Sequence, residues 1–192
     1  MRLFTAVELD AGLRTTVWRA ARELAQSLER STPRFRARWT PEENLHITLV
    51  FLGETPEARL AALADALQPT FATRVFALGL TGFGRFPPSG APRVLWLGVG
   101  KGHEALTALC GETAARFLPL GFEPERRKYF PHVTVARATD EAKADRAALR
   151  HALEARSGDV GSCTATHVTL FRSRLSPKGA AYEPVLRVPL KA

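Results

Sequence analysis

The sequence predicts an α+β fold built from two antiparallel-rich sheets with helices beside them. Three observations carry this. Strand-like and helix-like segments alternate in an order that runs once and then repeats, which points to an internal duplication of roughly 90 residues. The strands return through long connections with the helices grouped between them. No glycine-rich phosphate loop follows a strand, which argues against Rossmann and P-loop folds.

The elements follow from local pattern. Residues 3–9 form an apolar strand. Residues 11–29 form a helix, with Leu13, Val17, Ala20, Ala21, Leu24 and Leu28 on one side. Residues 35–39 alternate aromatic or small residues with arginine, as a short strand does. Residues 45–52 are a stronger strand. Pro56 stands where a helix tolerates proline and opens one reaching about Leu67. Residues 75–80 are a strand. Residues 82–92 hold three glycines and three prolines and read as a loop. The second run has a strand at 94–99, a helix at 104–118, a partly extended stretch at 122–130 and a strand at 132–136. A helix follows, capped by Asp140 and reaching about Ala155. A strand at 164–171 comes next. The last strand, at 181–190, carries Pro184 and Pro189 and belongs at an edge.

Composition excludes several classes. The chain has 192 residues, 45% hydrophobic and 24% charged, an ordinary globular profile. A formal net charge of +8 favours an acidic partner such as RNA or a nucleotide. Cys110 and Cys163 lie far apart, with no CxxC spacing, as in a reducing compartment. The first residues carry acids and no long apolar run, and no stretch suits a membrane span. A cytoplasmic monomer with no membrane partner is expected.

The informative motif is His, any residue, Thr, apolar. It occurs at His46-Ile47-Thr48-Leu49, at His132-Val133-Thr134-Val135 and at His167-Val168-Thr169-Leu170. Composition alone predicts about 0.2 such matches, from five histidines, 17 threonines and a 45% apolar fraction in 192 residues. In a strand, residues i and i+2 share a face. His46 and Thr48 therefore face one way, and Leu45, Ile47, Leu49 and Phe51 face the core. His132 and Thr134 repeat the arrangement. If the two sheets face each other, both pairs meet in one cleft. A neutral imidazole can take a proton there, an imidazolium can give one, and threonine hydroxyls can bind phosphate oxygens. Such a set breaks a phosphodiester without a metal or cofactor. His46 and His132 occupy matching places in the repeat, each after a basic or aromatic lead-in (residues 34–39 and 126–131). His167 lacks that lead-in and reads as a coincidental match.

At these residues the sequence closely resembles the two-histidine (2H) phosphoesterase superfamily. More narrowly, it resembles the RNA 2′,3′-cyclic phosphodiesterases, also called 2′-5′ RNA ligases. Arg38-Trp39 with residues 45–53 is similar to the family's first signature, and residues 130–137 to its second. Residues 92–96, and Leu170, Ser173, Gly179 and Tyr182, fit the flanking pattern. The resemblance implies a single bilobal domain with pseudo-twofold symmetry around a cleft, with lobes of roughly 1–92 and 93–192. It implies hydrolysis of RNA 2′,3′-cyclic phosphate ends to 2′-phosphomonoesters, and the reverse 2′-5′ ligation. His46 is then the proton donor and His132 the acceptor, with Thr48 and Thr134 on the phosphate. Arg137, five residues after His132, binds phosphate. A flat strand would turn it to the opposite face, so a twist or strand end is required there.

Simpler readings apply elsewhere. His103 and His151 read as surface residues. The arginines around Arg38 and the run Arg126-Arg127-Lys128 are either a solvated face or a rim for RNA phosphates. Phe86 and Tyr129 are candidates to stack a base, or else packing residues. No HExxH or DxD pattern suggests a metal site. Two other functions remain open at this stage. One is a phosphodiesterase for another small cyclic phosphate or a 2′-5′ oligonucleotide. The other is an RNA-binding module without turnover.

Overall fold

The computed structural model describes residues 1–123, 125, 127–139, 145–176 and 179–192. Among the described residues nine strands and four α-helices run in the order β1 (Arg2–Glu8), α1 (Ala11–Ser31), β2 (Ala37–Trp39), β3 (His46–Glu54), α2 (Leu60–Leu67), β4 (Phe76–Phe86), β5 (Val94–Val99), α3 (His103–Phe117), β6 (His132–Ala138), α4 (Arg146–Glu154), β7 (Asp159–Ala165), β8 (His167–Ser176) and β9 (Gly179–Pro189). All the ladders between these strands are antiparallel.

The helices form for local reasons. The Asp10 carboxylate accepts from the Leu13 N–H at 2.7 Å and caps α1. Leu13, Val17, Ala21, Leu24 and Leu28 then fall on one buried stripe. Asp145 caps α4 in the same way, through the Ala147 and Ala148 N–H groups. Asp140, expected as that cap, lies outside the described residues.

Two expected sheets are two halves of one sheet, in the order β7-β4-β5-β6-β3-β1-β8-β9, with β2 also paired to β6. The halves meet at β3 and β6 through a single registered pair, Ile47 with Val133. The expected lobe boundary near residue 92 does not coincide with this division. β4, from the first run, pairs with β5 of the second; β8, from the second run, pairs with β1 of the first. The chain exchanges these strands because each supplies the next antiparallel neighbour to the other run's first strand. The main core lies between helices and sheet and includes Ile47, Leu97, Val133, Leu106 and Phe117, each fully buried. A second apolar cluster of Phe4, Ala6 and Phe171, with Tyr182 against it, covers the other face of one half.

The glycine-rich stretch expected as a loop is strand over its first five residues, since β4 continues to Phe86, and is a loop from Pro87 to Pro92. Gly82, at φ +65°, sits at a register shift between Thr81 and Phe83. Gly84 lies beneath the Trp96 indole, where any Cβ would overlap the ring. Glycine here marks a bulge and a close approach rather than a loop. The expected strand at 164–171 is the end of β7 and the start of β8, parted at Thr166. Described residues between 122 and 130 form no strand. The last strand is an edge strand, as its prolines require.

Candidate functional site

The pairing of Ile47 with Val133 has a geometric consequence. These are the central residues of two His-x-Thr motifs on antiparallel strands, so a local twofold axis passes between them. In this register His46 falls opposite Thr134, and Thr48 opposite His132. With Ile47 and Val133 fully buried in the core, the four polar side chains occupy the other face of the sheet, at its centre.

Each imidazole is held the same way. His46 Nδ1 lies 2.7 Å from the Asn44 carbonyl, and His132 Nδ1 lies 2.7 Å from the Phe130 carbonyl. A carbonyl only accepts, so Nδ1 carries the proton in both rings. Each Nε2 is left free for chemistry when the ring is neutral. His46 Nε2 lies 3.1 Å from the Thr48 hydroxyl. Asn44 is itself fixed, because its Nδ2 donates to the Ala180 carbonyl at 2.7 Å.

Aromatic rings bed each histidine. His46 is 4.9 Å from Phe4 and 5.2 Å, edge-on, from Tyr182. His132 is 5.2 Å, edge-on, from Phe86, with Trp96 at 6.4 Å and Phe130 at 6.2 Å. This burial sets the proton affinities. Desolvation lowers His46 to about 4 against the pull of the Asn44 carbonyl, and repulsion from Arg137 and His132 adds to it. His132 is lowered as well, first by desolvation and then by Arg137.

Two bulges complete the face. On β3, Ala6 pairs with Thr48 and Thr5 with Val50, which leaves Leu49 as the extra residue. On β6, Trp96 pairs with Thr134 and Leu95 with Ala136, which leaves Val135. Each bulge lies three residues after its histidine and reverses the alternation beyond it. Arg137 thereby joins the face of His132, by the twist that a flat strand lacks. Its charge is felt by both imidazoles. Phe51 is moved in the same way. Expected in the core, it is 65% exposed beside Phe4, while Leu52 is buried in its place.

Arg38 on β2 pairs directly with Arg137, so two guanidinium-bearing residues lie side by side on one face. Phe86 packs edge-on against His132. Tyr129 does not offer an open ring for stacking. It packs against the main core, and its hydroxyl donates to the Thr48 carbonyl at 2.9 Å. That bond is a second tie between the halves, because Tyr129 precedes β6 and Thr48 lies on β3. His167 is exposed on β8, with Nδ1 2.7 Å from the Thr166 hydroxyl, and Thr169 is fully buried. Sequence reasoning missed the beds made by Phe4, Phe130 and Trp96. The alternation in Leu3-Phe4-Thr5-Ala6 puts Phe4 on the side opposite Leu3, and that was the available signal.

A curled antiparallel sheet with paired His-x-Thr motifs at its centre defines a two-histidine phosphoesterase architecture. Comparison with known proteins makes the assignment specific. The family model of the 2′-5′ RNA ligase superfamily matches residues 14–177, and the chain belongs to that family. It is 34% identical over 183 residues to a Methanothermobacter thermautotrophicus protein named RNA 2′,3′-cyclic phosphodiesterase, covering 95% of each chain. It is 33% identical to an Archaeoglobus fulgidus protein of the same name, covering 95% of this chain and 97% of the other. Among solved structures it is similar to TT0787 of Thermus thermophilus, at a TM-score of 0.75 and 28% identity. It is also similar to Escherichia coli LigT complexed with 3′-AMP, at a TM-score of 0.74 and 25% identity. Both comparisons cover 100% of this chain and 98% of the other.

Proposed function

We infer that this chain hydrolyses the 2′,3′-cyclic phosphate end of RNA to a 2′-phosphomonoester. The observation that carries the reading is the pair of imidazoles on one face, each with Nδ1 pinned by a carbonyl. His132 Nε2 takes the proton of the attacking water. The P–O3′ bond breaks, and His46 gives its proton to the departing 3′-oxygen. Thr48 and Thr134 hold the non-bridging oxygens. Arg137 offsets the phosphate charge, and Arg38 beside it meets the next phosphate of the strand. Phe51 presents an open ring to the terminal base. Phe86 acts by packing His132. Both histidines are depressed in the free protein. The anionic phosphate raises them on binding, so substrate itself brings the acid into its charged form. On this reading the enzyme works in the cytoplasm as a monomer.

The test is turnover of a short RNA ending in a 2′,3′-cyclic phosphate, with a strong chelator present. A 2′-phosphate product, reduced by about 10²–10⁴-fold in both His46→Ala and His132→Ala, is the expected result. A 3′-phosphate product, or turnover that survives either substitution, refutes it.

A further inference from the structure

A cavity of about 250 Å³ lies between the segment joining β2 to β3 and the start of β9. Its walls are Pro41, Glu43 and Asn44 on one side and residues 179–182 on the other. Two of these residues also hold His46. The Asn44 carbonyl pins His46 Nδ1 at 2.7 Å, and Tyr182 lies edge-on to the His46 ring at 5.2 Å. The cavity therefore borders one of the two reacting histidines. Its volume is below the roughly 300 Å³ at which sites for drug-sized ligands begin, and it suits one ring system rather than a whole nucleotide.

The side chains offered there are acceptors. Asn44 is 8% exposed; its Nδ2 donates to the Ala180 carbonyl at 2.7 Å, and its Oδ1 has no partner among the described residues. Glu43 makes no ion pair among the described residues, in a chain of net charge +8. Pro41, Ala181 and Tyr182 add apolar surface. The chain reaches this wall directly from Arg38, three residues before Pro41, and the Thr40 N–H on the way donates to the Val135 carbonyl of β6 at 2.9 Å. A strand whose second phosphate meets Arg38 thus brings its next nucleotide to the cavity. A carboxylate beside a path for phosphates repels them, and a donor-rich partner offsets that. Carboxylates only accept. Guanine presents two adjacent donors, N1–H and the N2 amino group. Adenine and cytosine set one amino group beside an acceptor, and uracil sets one N–H between two carbonyls.

We propose that this cavity is a base subsite for the penultimate nucleotide of the RNA, and that Glu43 selects guanine in it. The proposal rests on the reading above, in which the cyclic phosphate lies between the two histidines and Arg38 meets the phosphate before it. Both Glu43 oxygens accept from the guanine N1–H and N2–H, and Asn44 Oδ1 accepts the second N2 proton. The terminal base stays with Phe51, so the selection is for the nucleotide before the cyclic end and not for the one that carries it.

The experiment compares dinucleotides that end in uridine 2′,3′-cyclic phosphate and carry guanosine, inosine, adenosine or cytidine before it. The kcat/KM for hydrolysis is measured for each. In the wild type guanosine exceeds adenosine and cytidine by about tenfold, the discrimination of one good bidentate pair. Inosine, which keeps N1–H and lacks the amino group, falls between. In Glu43→Gln, which keeps the shape of the side chain and replaces one acceptor by a donor, the ratio of guanosine to adenosine falls to within about twofold. The ratio is taken within each protein, so a general loss of activity in the variant does not enter it. Equal rates for all four substrates in the wild type overturn the proposal, as does an inosine substrate as fast as the guanosine one. So does a guanosine preference that Glu43→Gln retains. Each of these leaves the hydrolytic reading standing. A wild type that hydrolyses none of the four removes both.

Discussion

Burying a neutral histidine at the centre of the sheet has a thermodynamic signature that precedes any assay of turnover. His46 titrates at about 4 in the folded protein against an ordinary 6.5. Between those values the unfolded chain binds more protons than the folded one. Stability from this group is therefore fully present above 6.5 and is lost as pH falls toward 4. The whole shift is worth about 3 kcal/mol at roughly 1.4 kcal/mol per pH unit. About 2 kcal/mol of it is lost between pH 7 and pH 5, where most carboxylates are still ionised. His132 contributes with the same sign. The assay is urea unfolding of wild type and His46→Gln at several pH values in that window. The wild-type curve falls by about 2 kcal/mol more than the variant's. Parallel curves refute the reasoning, because they mean that His46 is solvated or already paired when folded. An anionic nucleotide in the cleft opposes the loss by raising both imidazoles. The alkaline limb of kcat, set in the bound complex, therefore lies at higher pH than that of kcat/KM.

Three further outcomes test the supporting structure. Tyr129→Phe keeps the packed ring and removes the hydroxyl bond to the Thr48 carbonyl; it costs about 1 kcal/mol in unfolding free energy and lowers kcat while KM holds, because the spacing of the two halves loosens. Arg38→Ala relieves a cross-strand like-charge pair; unfolding free energy rises by about 0.2–1 kcal/mol, while the salt dependence of RNA affinity falls by roughly 0.7 in slope for one lost phosphate contact. Gly84→Ala drives a Cβ into the Trp96 indole; it destabilises the protein by about 1–3 kcal/mol and lowers turnover through the bed beneath His132, measured by unfolding and by steady-state kinetics.

The motif residues were legible because period-two alternation is short-ranged. His46 and Thr48, like His132 and Thr134, need only two residues of regular strand to share a face, and three consecutive residues of each motif supply that. Beyond Thr48 and Thr134 the inference failed for Phe51, because one extra residue reverses the phase and nothing in Leu49-Val50 announces a bulge. Arg137 exposed the same problem from the other direction, since its required face demanded an irregularity whose position the sequence does not give. Gly82 and Gly84 misled for a related reason. Glycine is common in loops, and only the neighbouring indole shows that Gly84 is empty to make room. The strand exchange of β4 and β8 was beyond local reading, because alternating pattern specifies a strand and not its partner. Tyr129 stays ambiguous in sequence because an aromatic beside a motif suits stacking and packing alike; its hydroxyl partner lies 81 positions away.

The two bulges explain how a symmetric scaffold serves an asymmetric reaction. Both follow their histidine by three residues and both turn the fifth residue onto the shared face. The backbone geometry is thus duplicated, and what differs is the side chain delivered: an open phenyl ring at Phe51, a guanidinium at Arg137. Arg137 lowers the proton affinity of both histidines. A cation at position 51 as well would add a second repulsion to an imidazole already held near 4, and would leave the acid harder to charge. A second phenylalanine at 137 would leave the proposed phosphate site with the threonines alone. Phe51→Arg separates these effects from simple loss of a ring when set beside Phe51→Ala. Both remove the ring proposed to stack the terminal base, and only the arginine moves the limbs of the kcat/KM profile toward lower pH. Equal profiles for the two variants would show that the fifth position acts through shape, and that the asymmetry of the cleft has another source.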